Sequence, residues 1–409
     1  MNGSAHSIGA GRATGSDGPV HVFLVAGEHS GDVLGARLMD AINESRPGGV
    51  HFSGVGGPLM EARGFRSLFP ITDVAVMGPV AIAAALPRLL ARIRTTARAA
   101  LAAKPDVVVI IDSPEFTHPI AKRIKAQRPD QPVIDYVSPS VWAWRPGRAP
   151  RMRAYIDHVL ALLPFEPATH ERLGGPPCTY VGHPLVERQA EMAASDPAPL
   201  AQRLKLSPNR PVLLVLPGSR RSEIGRLMGP FGATMQLLLQ QEKLPQVIVA
   251  TLPAVRPMVE AGLRTWPLIP HIVDDDTDKL RAFKLARAAL TASGTVTLEL
   301  ALAGTPMVVA YLVEPLSAPF LRRMIKAPSI VLPNLVLGEN MFPEFIQERC
   351  TPLALAQAIS ELMQDGLARA AQLSALAALP SRITLPARSP SEAAAEIVLS
   401  YADKRASAT

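Results

Sequence analysis

Two apolar runs in the first half of the chain end in turns that carry acids. Residues 20–26, VHVFLVA, lead into Gly27-Glu28-His29-Ser30-Gly31-Asp32, and residues 107–111, VVVII, lead into Asp112-Ser113-Pro114-Glu115-Phe116. Short apolar runs bounded by Gly or Pro read as buried strands, and open α/β sheets bind ligands beyond the carboxyl ends of such strands. A partly desolvated carboxylate in that position can take a proton from an attacking hydroxyl, which makes Asp112 the candidate general base. In the first loop, Gly27 and Gly31 permit a tight turn and close approach to a ligand. Glu28 and His29 stand there in front of helix amides, with Ser30 and Asp32 beside them. Helix capping is the competing role for Ser30, Asp32, Asp112 and Ser113.

Two loops in the second half have the chemistry of a nucleotide-diphosphate clamp. PVLLVLPG opens into Ser219, Arg220 and Glu223, where a hydroxyl, a guanidinium and free helix-start amides converge on the place of a pyrophosphate. AALTAS opens into Ser293, Gly294 and Thr295, with Glu299 one turn into the next helix and in reach of ribose hydroxyls. Capping is again the alternative, with Ser219 paired to Glu223 and Glu299 as an ordinary first-turn acid. Neither a G-x-G-x-x-G fingerprint nor a G-x-x-x-x-G-K-[ST] loop occurs. The run Asp274-Asp275-Asp276-Thr277-Asp278 contains D-x-D, but it directly precedes helical text and reads as an N-terminal cap. No metal and no cofactor is expected.

The elements that must position these groups alternate. HVFLVA, VHFSGVG, DVVVIID, PVIDYV and HVLALL are separated by helical-period text, and PVLLVLPG, QVIVAT, HIVD, AALTAS and PMVVAYL form a second series. Continuous apolar strands separated by helices imply parallel sheets buried on both faces, so the expected fold class is α/β, two doubly wound Rossmann-like halves facing across a cleft. The expected division is a loose Gly/Ser/Ala-rich tail (1–18), a first domain (19–186), a second (187–365) and C-terminal helices (366–409). Those helices either return to the first domain or exchange with a second chain, as in a homodimer.

The 409 residues suffice for two cores, and 48% hydrophobic against 19% charged excludes a polyelectrolyte. Two cysteines, Cys178 and Cys350, are too few for a disulfide framework, which points to a cytoplasmic location. The net charge of +7 favours anionic partners. Ser138-Pro139-Ser140-Val141-Trp142-Ala143-Trp144-Arg145 puts two of three tryptophans beside an arginine cluster, suited to a phosphate or lipid-headgroup boundary. Packing is the plain alternative, and nucleic acid is not expected without a recognised module. Residues 74–105 carry five basic and no acidic side chains. With Val76, Met77, Val80, Leu86, Arg88, Leu89, Arg92 and Ile93 they can lie at an anionic membrane surface, or simply cover a sheet. No apolar stretch reaches membrane-span length.

Taken in order, AGEHSGD, IDSPEF, PSVWAWRPGR, VGHPL, LPGSRRSEI, SGTVTLELAL and VLPNLVLGENMFPEFIQ resemble the lipid-A-disaccharide synthases, from about Val20 to Gln347. The resemblance implies an inverting, metal-independent glycosyltransferase of the GT-B fold. The implied reaction transfers 2,3-diacylglucosamine from UDP-2,3-diacylglucosamine to 2,3-diacylglucosamine 1-phosphate in lipid A assembly, at the inner face of the cytoplasmic membrane. It also implies Asp112 as base, Glu28 and Ser30 near the acceptor, and Arg220, Asn334, Glu339 and the Ser293–Glu299 loop on the UDP side. A UDP-sugar 2-epimerase of the same architecture is the rival expectation.

Overall fold

The computed structural model describes residues 19–47, 49–74, 79–241, 245–314 and 327–406, excepting the side chains of 79–84 and 406. Val76, Met77 and Val80 therefore lie outside the described side chains.

The first half builds a six-stranded sheet in the order β2-β1-β3-β4-β5-β6. Its strands are β1 (Val20–Ala26), β2 (Val50–Val55), β3 (Val107–Ile111), β4 (Val133–Tyr136), β5 (His158–Ala161) and β6 (Cys178–Tyr180). All pairings are parallel. Every residue of β3 is buried, the mark of a strand covered on both faces. On one face lie α1 (His29–Ser45) and the late helix α12 (Pro390–Ala406), packed through Leu34, Leu38, Met39 and Ile42 against Ala394, Val398 and Ala402. The other face carries α3 (Pro79–Ala103) and α4 (Pro114–Gln127), and the short α2 (Pro58–Glu61) follows β2.

A second six-stranded parallel sheet runs β12-β11-β10-β7-β8-β9. It comprises β7 (Val212–Leu216), β8 (Gln246–Ala250), β9 (His271–Val273), β10 (Ala286–Ala292), β11 (Met307–Tyr311) and β12 (Glu344–Ile346). Between β5 and β6 comes α5 (Glu166–Arg172), and around the second sheet lie α6 (Arg221–Gln240), α7 (Asp276–Leu285), α8 (Val296–Leu302), α9 (Leu332–Leu337), α10 (Pro352–Met363) and α11 (Leu367–Ile383). Leu376, Leu379 and Ile383 of α11 sit in the core of this second half. The unit that returns to the first half thus begins at α12, not at residue 366. Three-residue β6 and β12 are strands that hydrophobic patterning does not single out, because each is a partly exposed sheet edge.

The crossings between halves are pinned. Glu187, in the link, accepts from Arg37 of α1 at 2.6 Å and from the Ser391 hydroxyl of α12 at 2.8 Å. Leu163, Trp142, Phe165, Leu185 and Val186 extend the second half's core toward the first.

Candidate active site

The loops after β1 and β3 meet at the top of the first sheet. Asp112 (φ 54°) and Ser113 (φ 46°) are both left-handed, a conformation that costs a non-glycine residue about 1–3 kcal/mol. The surroundings hold it in place. Asp112 N donates to Tyr136 O at 2.9 Å, Ser113 N donates to Asp112 Oδ1 at 2.7 Å, and Thr117 Oγ1 donates to Asp112 O at 2.8 Å. Asp112 Oδ2 then accepts from Ser30 Oγ at 3.0 Å, and the same hydroxyl lies 3.2 Å from Glu28 Oε1. Burial pushes the Glu28 carboxyl above its ordinary range. The charge of Asp112 and a direct contact with it push further, while Ser30 and Arg220 oppose the shift. Arg220 belongs to the second half, so Glu28 looks across to the other lobe.

A cavity of about 310 Å³ opens there, lined by Leu216, Ser219, Arg220, Thr251, Ser293 and Glu299 among others. That volume suits a small-molecule ligand. Ser219, Arg220, Glu223, Ser293, Gly294, Thr295 and Glu299 all border it, so the two loops named from the sequence do converge. Gly218 (φ 113°) supplies the turn, and a Cβ on it would stand 2.6 Å from Glu223 Oε2. Glu299 is held by Lys279 Nζ at 3.1 and 3.3 Å and lies 3.8 Å from Arg188. Lys279 and Thr251 also line this cavity, and sequence reading missed both. Thr251 leaves its hydroxyl buried without a protein partner. A lysine one turn into a helix and a threonine after a strand carry no pattern of their own.

Several expected ligand contacts are engaged elsewhere. Asp32 is fully buried and accepts from Gly57 N, Leu59 N and Met60 N at 2.9, 3.0 and 3.1 Å, so it caps α2 rather than meeting an acceptor. Asn334 is buried, and its amide pairs with Phe342 N and O, both at 2.9 Å, which locks the turn after α9 instead of reaching UDP. Glu339 is exposed on that turn and is absent from the cavity lining. Glu223 turns its carboxylate back onto Ser219 N, Arg220 N and Arg220 Nη1, shaping the loop instead of presenting charge to a phosphate.

The Trp/Arg segment divides in the same way. Ser138 is buried against His170 Nε2 at 2.9 Å, and Trp142 donates to Glu166 Oε1 at 3.1 Å while its ring meets Phe165 edge-on. Both are packing residues. Arg145 stays exposed, stacked over the Trp144 ring at 4.2 Å and 3.6 Å from Glu115 in the first turn of α4, just beyond Asp112. In α3, Ile93 is buried in the core, and Arg92 pairs with Asp73 at 2.6 Å over the Phe69 ring. Both face the protein, not a surface, because helical period turns them under the sheet-covering face. Leu86 and Arg88 are exposed and Leu89 is half-buried.

The four acids of the D-x-D stretch are engaged by protein. Asp275 caps α7 by accepting from Asp278 N, Asp274 pairs with Arg256, Asp276 with Arg188 and Lys279, and Asp278 with Arg203 and Arg281.

Two doubly wound parallel sheets, the second with a nucleotide-sized cavity beyond its strand ends, define the GT-B class. Solved structures agree at the level of fold. UDP-GlcNAc 2-epimerase from Neisseria meningitidis, bound to UDP-GlcNAc, superposes with a TM-score of 0.62 at 11% identity, covering 93% of this chain and 99% of that one. The calicheamicin glycosyltransferase does so with 0.58 at 18% identity, covering 94% and 99%. Sequence narrows the class further. The lipid-A-disaccharide synthetase family model matches residues 22–398. Lipid-A-disaccharide synthases from Nitrobacter hamburgensis and Rhodopseudomonas palustris (strain HaA2) are 52% and 51% identical over 386 and 383 residues, each match covering 94% of this chain and 96% of the relative. That from Bradyrhizobium diazoefficiens is 47% identical over 385 residues, covering 94% and 97%. The chain belongs to this family of hexosyltransferases.

Proposed function

We propose that the chain transfers 2,3-diacylglucosamine from UDP-2,3-diacylglucosamine to 2,3-diacylglucosamine 1-phosphate in a single displacement, with Asp112 as the base. The observation that carries the reading is the pairing of a strained, multiply bonded Asp112 in one lobe with an open cavity beside Arg220 and Glu299 in the other. The UDP moiety occupies that cavity, with Glu299 accepting from ribose hydroxyls and Arg220 and the first amides of α6 meeting the phosphates. The acceptor's 6-hydroxyl approaches from the first lobe, gives its proton to Asp112, and inverts the anomeric carbon as UDP departs toward Arg220. No cation is assigned a part in this step.

Substrates with several acyl chains must be met at a bilayer. The exposed Leu86 and Arg88 of α3 and the Arg145 region are the docking elements of this reading, on the cytoplasmic side of the membrane. Among the described residues no helix is long and apolar enough to cross a membrane.

Mixing the two lipid substrates with the chelator-treated protein should give disaccharide and UDP. Asp112→Asn should lower turnover by about 10² to 10⁴ while UDP affinity stays within about twofold. Conversion of UDP-N-acetylglucosamine alone, without lipid acceptor, would instead support the epimerase reading.

A further inference from the structure

Glu28, Ser30 and Asp112 pose a question of proton counting. Ser30 Oγ lies 3.0 Å from Asp112 Oδ2 and 3.2 Å from Glu28 Oε1, and a serine hydroxyl has one hydrogen to donate. If both carboxyls are ionised, one of these contacts sets lone pair against lone pair, and the two acids also meet each other directly. A single added proton, beside the hydroxyl's own, gives both contacts of Ser30 a hydrogen and leaves only one charge on the two acids. The two acids do not compete for it equally. Asp112 Oδ1 already accepts from Ser113 N at 2.7 Å, whereas the Glu28 side chain makes no capping bond to the helix it precedes.

We propose that Glu28 holds the proton of this pair and, through Ser30, positions Asp112 as the sole ionised base. Glu28 Oε–H donates to Ser30 Oγ, and Ser30 Oγ–H donates to Asp112 Oδ2. Glu28 and Ser30 are then positioning residues. During transfer the acceptor hydroxyl proton passes to Asp112, the new C–O bond forms, and the old C–O bond breaks with its electron pair leaving on UDP. The proton on Glu28 stays where it is.

The charged groups facing Glu28 are Asp112, from the loop after β3, and Arg220, from the start of α6. Burial and Asp112 favour the protonated form, and Arg220 opposes it. A bound diphosphate that engages Arg220 relieves this opposition, so the arrangement is most secure in the loaded enzyme. This inference rests on the reading of Asp112 as base, and its test separates the two.

Infrared spectra of the full chain at neutral pH, wild type minus Glu28→Gln, should show a protonated-carboxyl C=O band. An ionised-carboxylate band in its place overturns the proposal whatever the substrate is. It leaves the role of Asp112 to be judged by the turnover of Asp112→Asn. Kinetics supply the second arm. The side-chain amide introduced by Glu28→Gln can still donate to Ser30, so this variant should keep about tenfold more turnover than Glu28→Ala, and Ser30→Ala should fall with Glu28→Ala. Equal losses in Glu28→Gln and Glu28→Ala, with both proteins folded by circular dichroism, would also overturn it.

Discussion

Gly27 and Ser113 stand so close that a Cβ on Gly27 would lie 2.5 Å from the Ser113 Cβ and 2.8 Å from its hydroxyl. The first two loops of the site are thus fitted to each other, and Ser113 directly follows the proposed base. Gly27→Ala must displace Ser113 from its left-handed position and move Asp112 with it. The expected result is a loss of about 1–3 kcal/mol in stability and a fall in kcat out of proportion to any change in UDP affinity. A denaturation curve beside a titration with UDP distinguishes this from general unfolding.

Glu299 borders the cavity with Lys279 3.1 Å away. Glu299→Gln keeps the shape but removes the charge that makes its hydrogen bonds to hydroxyls strong. UDP binding measured by calorimetry should weaken about ten- to a hundredfold. Lys279→Met leaves Glu299 with Arg188 as a more distant cation, and it should weaken UDP binding by less.

Glu166 gives the fold a pH dependence. Burial raises its carboxyl from 4.5 to about 7, although Leu163 N, Trp142 Nε1 and Leu162 N all donate to it and pull the other way. The folded protein keeps this proton up to about pH 7, whereas the unfolded chain releases it near 4.5. Stability from this group is therefore complete below 4.5 and declines as pH rises toward 7, by up to roughly 3 kcal/mol. Urea midpoints taken at about pH 5 and about pH 8 should differ less in Glu166→Gln than in the wild type.

Arg88 and Arg94 are exposed on α3, unlike Arg92. Reversing both charges should reduce partitioning onto anionic vesicles at least about tenfold, since each basic residue near such a surface contributes roughly 1 kcal/mol. Neutral vesicles should show little difference, and unchanged partitioning on anionic ones would remove α3 as a docking element.

The sheets and the site differ in how far sequence reveals them. VVVII and VLLVL announce buried parallel strands by composition alone, and the loops that follow them inherit their position from that. The placement of Asp112, Glu28 and Arg220 beyond the strand ends was legible because each follows a strand or begins a helix. Asp32, Asn334 and Glu223 stand in the same motifs, yet their carboxylates and amide are turned onto backbone groups. Nothing in residue type separates an acid that serves a ligand from one that serves a turn; the direction of the side chain decides, and tertiary packing sets it. Lys279 and Thr251 were illegible for the converse reason, since their elements reach the cavity only once the second sheet is assembled.

The Glu187–Ser391 contact joins positions 204 residues apart, and α12 completes a core whose strands all precede residue 181. During synthesis the first lobe must wait, with the apolar flank of α1 uncovered, while the entire second lobe emerges from the ribosome. Folding of this chain is consequently not sequential by lobe: the earliest part made is the last to be sealed, and a nascent chain stalled within the second lobe would present that flank to chaperones.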